Sequence, residues 1–482
     1  MREMIALLLL SGLTMRCALS RNSQLRPGVG DRVSVTTSVL KLQDPAEQLR
    51  VAPASIEHHP SFTLGIVEFN DEGLAWNRNQ RTAVLTMLRQ KGAQNGALIV
   101  MFVHGWKHNA TVCDDNVACF RRVLAGLAEA EARNPRPAKR AIIGIYFGWR
   151  GLSYCREPAR TVSLWSRKRV GEKLGESQGR EFLREILRAY KDLKGDNHDT
   201  RLIVAGHSLG AGVVYSAFGP LVTQALNDAL DNRTGSQIEP IDHVGDIPLP
   251  DLIVLANPAF EAELYKRTQR DLQKMERLHL RFADEQLPLM VTVSSESDMA
   301  THRIFPPGQF VRYALAPFEW TRGLPFLRRS VVTVANFGPY LTDRLDLASS
   351  VPTMTQKGAP SSLAVTVKEK PPTSCFRGDL AATTGSGCDC AELMDDPDLV
   401  LGSGSGCGPI RRDGDNHIVR TCGDVDIVHL RSELDRHNPF IVATAARTVI
   451  NGHNDIYNRR FISFLIAFVS DVDQRKAIME TK

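Results

Sequence analysis

Little in the composition commits this chain to an unusual class. Aromatic residues fill only 7% of its 482 positions, with 8 Tyr and 5 Trp. Neither sign of charge dominates: 59 Lys and Arg against 54 Asp and Glu leave a net charge of +5. The basic cluster Arg167-Lys168-Arg169 has no nucleic-acid recognition motif beside it. It reads as a solvated surface patch, and no nucleic-acid partner is expected. Past the first residues no segment looks apolar enough for the roughly 20-residue span of a bilayer, and residues 461–469 read as a helix-core stretch. No internal repeat recurs, which excludes a solenoid or array. What remains is an ordinary globular balance, 43% hydrophobic and 23% charged. The length fits about three domains, or one α/β domain with insertions.

The N-terminus has the pattern of an export signal. Arg2 precedes the apolar residues 5–10, and Ala18-Leu19-Ser20 offers a small-residue cleavage site. Residues 1–20 are therefore expected to be a signal peptide and the protein to be exported, periplasmic or secreted. A lipid on Cys17 is the membrane-anchored alternative, against which Arg16 speaks. Without Cys17 eight cysteines remain: Cys113, Cys119, Cys155, Cys375, Cys388, Cys390, Cys407 and Cys422. An even number in an exported chain suggests disulfides, with Cys113–Cys119 a plausible local pair. The last five surround His417, so a metal site is the rival reading. Cys388-x-Cys390 lacks zinc-knuckle spacing, and no metal is expected.

The most informative segment is residues 201–218, RLIVAGHSLGAGVVYSAF. A β-prone run, Leu202-Ile203-Val204, leads into Gly206-His207-Ser208-Leu209-Gly210. Small residues then suit a helix packed close to a sheet. A G-x-S-x-G arises by chance in such a chain with probability of roughly 0.15. The flanks lift it above chance: they give the strand–turn–helix context of a nucleophile elbow, in which a serine sits on a strained turn. The glycines leave room where neighbouring side chains would clash.

The surrounding order supports a parallel sheet. Strands are predicted at 62–69, 97–103, 141–147, 201–205, 251–256, 289–293 and 439–444. Helices are predicted at 80–91, 117–133, 175–193, 261–278 and 455–468. Such alternation implies a sheet covered by helices on both faces, with ligands at the carboxyl ends of its strands. The rhythm fails from about 301 to 436, where Gly/Ser-rich turns and five cysteines collect. That stretch is expected to be an insertion, either a cap over the site or a peripheral decoration. The expected organisation is a signal at 1–20, an N-terminal extension at 21–61, a core at 62–300, the insertion at 301–436, and the core again at 437–482.

A serine hydroxyl needs a base within hydrogen-bond reach, and histidine is suited to that role near neutrality. His453, in a turn between the last strand and the last helix, is the candidate, with His429 and His437 as fallbacks. The acid that orients the imidazole is expected where strand 289–293 runs out, as Asp298, with Glu296 second. The oxyanion hole needs two backbone N–H groups. Leu209 supplies one, and Trp106, after Val103-His104-Gly105, supplies the other. His104, Gly105, His207 and Trp149 are candidate substrate-binding positions. For His104 a loop-closing role competes with this, and for Trp149 a packing role. Lys107, His108 and Asn109 stand either at the mouth or on plain surface.

These residues together resemble the α/β-hydrolase superfamily, in its serine esterase/lipase-like group with a His-Gly-Trp loop. The likeness is carried by Val103-His104-Gly105-Trp106, Gly206-His207-Ser208-Leu209-Gly210, Asp298 and His453, over about 62–298 and 439–469. The order Ser208, Asp298, His453 is that superfamily's order. The resemblance implies a mostly parallel sheet, an acyl-enzyme mechanism and no metal or organic cofactor. The expected function is hydrolysis of a small-molecule or lipid carboxylic ester, with room for a peripheral membrane contact. Thioester or amide cleavage, acyl transfer on the same triad, and a non-catalytic binding protein are the alternatives. The sequence says nothing of oligomeric state.

Overall fold

The computed structural model describes residues 24–26, 33–34, 54–111, 114–134, 136, 138–153, 159–196, 199–233, 235–314, 322–348, 407–412, 418–430 and 437–480. The expected signal peptide, Cys17, Cys113, Cys155, Cys375, Cys388, Cys390, His417 and the Gly/Ser-rich turns between 384 and 406 lie outside them.

Among the described residues one sheet of 13 strands organises the molecule. Its longer members are β1 (Ile56–His58), β2 (Thr63–Phe69), β3 (Ala97–Val103), β4 (Ala141–Trp149), β5 (Arg201–His207), β6 (Leu252–Ala256), β7 (Met290–Ser295), β8 (Asp343–Leu347), β9 (Ile418–Cys422), β10 (Val425–His429) and β11 (Phe440–Ala445). The order β2-β4-β3-β5-β6-β7-β11-β8 is parallel throughout. At one edge β1 joins β2 antiparallel, and at the other β10 joins β8 and β9 joins β10, both antiparallel.

The helices are α1 (Arg78–Gly92), α2 (Asp115–Arg133), α3 (Ala159–Glu176), α4 (Gln178–Asp196), α5 (Leu209–Asp231), α6 (Ala262–Arg277), α7 (Phe305–Ala314), α8 (Leu324–Val331) and α9 (Arg459–Glu480). Strand alternation sends residues to two cores. In β3, Ile99, Met101 and Val103 face the core covered by α1 and α3–α6. Leu98, Val100 and Phe102 face the core covered by α2 and α9. A strand buried on both faces has no polar side, which is why Ala97–Val103 is apolar throughout. Helix ends follow local chemistry: the Asp114 carboxylate accepts the Asn116 N–H at 2.9 Å and so starts α2.

Four features differ from the sequence expectation. Residues 159–176 form α3, and Arg167 and Lys168 within it are buried, not solvated. Their partners explain this: Arg167 pairs with Asp71 at 2.8 Å, and Lys168 with Glu261 at 2.8 Å and Glu172 at 2.5 Å. The segment expected as an N-terminal extension adds β1 to the sheet. The stretch expected as an insertion also feeds the sheet, through β8, β9 and β10, and Cys407–Cys422 forms a disulfide beside it. Finally, α5 is long and apolar enough to cross a membrane by composition, but 67% of its apolar window is buried inside the protein. It is apolar because it packs against the sheet, α3, α4 and α6. Cys119 is disulfide-bonded as well.

Candidate active site

β5 ends at His207 and α5 starts at Leu209, so Ser208 alone makes the turn. Its φ of 56° and ψ of −120° are unfavourable for a residue with a side chain. Hydrogen bonds hold it there. Its N–H donates to Ala256 O at 3.0 Å, and its carbonyl accepts from Ala259 N at 3.0 Å and Ala211 N at 3.2 Å. The neighbourhood admits no extra atom. A Cβ on Gly210 would lie 2.2 Å from Val103 O, and one on Gly105 would lie 2.6 Å from Ser208 Cβ. The loop after β3 therefore abuts the serine turn directly.

His453 arrives from the turn after β11, just past Gly452 with its φ of 100°. Its Nε2 lies 2.7 Å from Ser208 Oγ, and its Nδ1 lies 2.8 Å from Asp298 Oδ2. Asp298 is wholly buried past the end of β7. Its Oδ1 accepts from the N–H groups of Ala300 at 2.8 Å and Thr301 at 3.2 Å, and its Oδ2 accepts from Thr301 Oγ1 at 2.7 Å. Burial alone would raise the carboxyl pKa. The charge of His453 and the hydrogen bonds from His453 and Thr301 outweigh it and lower the pKa to about 2. With Asp298 ionised, Nδ1 is the ring nitrogen placed to donate to it, and Nε2 faces the serine hydroxyl.

The loop after β3 is closed by its own hydrogen bonds. His104 is fully buried: its Nδ1 contacts Gly105 O at 2.9 Å, and its Nε2 accepts the Trp149 N–H at 3.1 Å. Trp149 returns a bond from Nε1 to His104 O at 2.9 Å, and the two rings stack at 5.4 Å. Burial lowers the His104 pKa to about 4, so the ring is neutral at neutral pH. The next turn contains Lys107, with a φ of 77° and its N–H on Gly151 O at 3.0 Å. Trp106 thus lies in the chain between Gly105, which abuts Ser208, and this turn. Leu209 begins α5, so its N–H has no acceptor within that helix.

The structure thus brings Ser208, Asp298 and His453 together, with Trp106 on the loop after β3 and Leu209 at the start of α5. Gly105 packs on Ser208. His104 closes its loop and Trp149 packs on it, the competing roles weighed for them from the sequence, and His207 bonds the histidine turn. The His104 and Trp149 atoms bond each other, and His207 Nε2 bonds the His453 carbonyl at 2.8 Å. His108 is buried and pairs with Asp114 at 3.3 Å, so it is neither at the mouth nor on open surface. The fallbacks are engaged elsewhere: His429 with Asp343 at 2.6 Å, His437 with Asp284 at 3.5 Å, and Glu296 with Arg344 at 3.6 Å. Thr301, Asn257 and Ser295 were not singled out from the sequence. Asp298-Met299-Ala300-Thr301 has the spacing of a carboxylate capping a helix start, a signal that could have found Thr301. Ser208 is only 1% exposed.

No family model and no curated protein matches the chain. A solved structure of an uncharacterized protein from Pseudomonas aeruginosa is similar over 47% of this chain, with 12% identity and a TM-score of 0.19. The match spans 40% of that protein's length, and at this score it bears on neither fold nor function.

Proposed function

We propose that the protein is a serine hydrolase of the α/β-hydrolase superfamily that cleaves carboxylic esters through an acyl-enzyme. One observation carries the reading: Ser208 Oγ, the His453 ring and Asp298 are linked by contacts of 2.7 and 2.8 Å, from three different strand ends. Three distant segments converging with both ring nitrogens engaged is the geometry of an activated nucleophile. The parallel sheet, the strained serine turn and the order Ser208, Asp298, His453 support the superfamily assignment.

In the proposed cycle Ser208 Oγ attacks the ester carbonyl while His453 Nε2 takes its proton. Negative charge develops on the carbonyl oxygen and meets the N–H groups of Leu209 and Trp106. Asp298 holds the protonated ring. His453 then gives its proton to the departing alcohol, leaving an acylated serine. A water molecule repeats the sequence, with His453 as base, and frees the acid. Every step uses protein groups and water. The exposed Met299, Phe310, Val311 and Leu324, on the segment following Asp298, favour an apolar or lipid ester and a peripheral membrane contact. The Cys407–Cys422 disulfide favours an oxidising, exported setting.

Hydrolysis of a panel of nitrophenyl esters, thioesters and amides tests the reading. Ester turnover by the wild type and its loss in Ser208→Ala are expected. Faster thioester or amide cleavage redirects the proposal to those substrates. Turnover that survives Ser208→Ala overturns it.

A further inference from the structure

The His453 ring can contact Ser208 and Asp298 only if its backbone is fixed, yet His453 lies in a turn outside any helix or strand. Its carbonyl oxygen is held by two side chains at once. His207 Nε2 lies 2.8 Å from it, and Asn257 Nδ2 donates to it at 2.8 Å. The same Asn257 amide donates to Gly452 O at 3.1 Å. Its Oδ1 accepts the Ser295 N–H at 2.8 Å, and its own N–H donates to Val293 O at 2.7 Å. One wholly buried side chain thus ties the histidine turn to the end of the strand that carries the acid. The preceding residue, Ala256, accepts the N–H of Ser208, so the nucleophile turn shares the same frame.

Two further facts separate this from incidental packing. Asn257 has a φ of 43°, a conformation that asparagine tolerates better than most residues with a side chain. His207 is fully buried, and its pKa is held well below the ordinary imidazole value by burial first and then by the charge of His453. The neutral ring has one N–H to give. Its Nε2 faces the His453 carbonyl, while its Nδ1 is buried without a hydrogen-bond partner. That arrangement sacrifices one nitrogen to keep a donor on the catalytic turn.

We propose that Asn257, assisted by His207, is a positioning residue that clamps the His453 carbonyl and so sets the imidazole between Ser208 and Asp298. The inference rests on the reading of Ser208, His453 and Asp298 as a triad. Asn257→Asp keeps the shape but turns a carboxylate oxygen toward two carbonyls. Asn257→Gly removes the side chain while accepting the positive φ.

The test combines steady-state hydrolysis of a nitrophenyl ester with NMR detection of the His453 Nδ1 proton in folded, full-length protein. A small misplacement of a reacting group can cost about a hundredfold. Both Asn257 variants are expected to lower kcat by about 10- to 100-fold with KM nearly unchanged, and to shift or broaden the Nδ1 signal. His207→Gln, which keeps a donor, is expected to retain more activity than His207→Ala. Wild-type kcat, or an unshifted Nδ1 signal in folded Asn257 variants, overturns the clamp while leaving the triad in place. If the wild type shows no Ser208-dependent turnover, the triad reading fails, and an unshifted Nδ1 signal still decides against the clamp.

Discussion

From β2 to β11 the strands run parallel and end at one rim, whereas beyond β8 they run antiparallel and the sheet closes on β10 and β9. The first half carries Ser208 one residue past β5, Asp298 three residues past β7, and His453 eight residues past β11. The second half carries ion pairs such as Asp343–His429 at 2.6 Å and Arg420–Asp471 at 2.7 Å, and the Cys407–Cys422 disulfide. Parallel strands deliver their carboxyl ends to one place, so distant residues can converge there. Antiparallel edge strands turn back on themselves, and here their polar groups pair locally. On the proposed reading the reacting groups gather at the parallel strand ends, while the antiparallel edge is held by ion pairs and a disulfide. Substitution of Ser208 should change activity at little cost in stability, and loss of the Cys407–Cys422 disulfide should do the reverse.

The largest expected effect is that of Ser208→Ala, a loss of ester hydrolysis of at least about ten-thousandfold with thermal stability nearly unchanged. Initial rates and a melting curve on the same sample check both halves of the statement. Asp298→Asn comes next. The Nδ1 proton then lacks its anionic partner, and kcat should fall by about a thousandfold or more. On the antiparallel side, Cys407→Ser with Cys422→Ser opens a loop with a sequence separation of 15. Denaturant unfolding should show a loss of up to about 3 kcal/mol, with specific activity retained below the transition. The fourth effect is a pH dependence that belongs to the site. The Asp298 pKa is lowered to about 2 in the folded chain. A depressed carboxylate stabilises the fold above its unfolded pKa of about 4, and this contribution disappears as pH falls toward about 2. It amounts to about 2 kcal/mol, and Asp298→Asn should remove it from a stability-versus-pH series.

What the sequence discloses divides along the same line. The convergence of Ser208, His453 and Asp298 is legible because their positions depend on local backbone: a tight turn with glycines, and loops that follow apolar strands. β8 is not legible, since Asp343-Arg344-Leu345-Asp346-Leu347 is mostly charged and its pairing partners decide it. Arg167 and Lys168 look solvated in a short window because Asp71 and Glu261 lie about 95 positions away on either side. Asn257 is hidden for a related reason. Its side chain works on backbone atoms 195 and 196 positions later, a relation that no local pattern carries. His104 and Trp149 were visible as residues at the right strand ends, but whether they face a ligand or each other depends on ring orientation, which spacing does not encode.

The central claim is that Ser208 is a nucleophile activated by His453 and Asp298. A fluorophosphonate reacts with an activated serine hydroxyl, and peptide mapping locates the adduct. The account predicts a single adduct on Ser208, absent in Ser208→Ala and formed much more slowly in His453→Ala. An adduct that persists in Ser208→Ala, or wild-type protein that forms none, would contradict it.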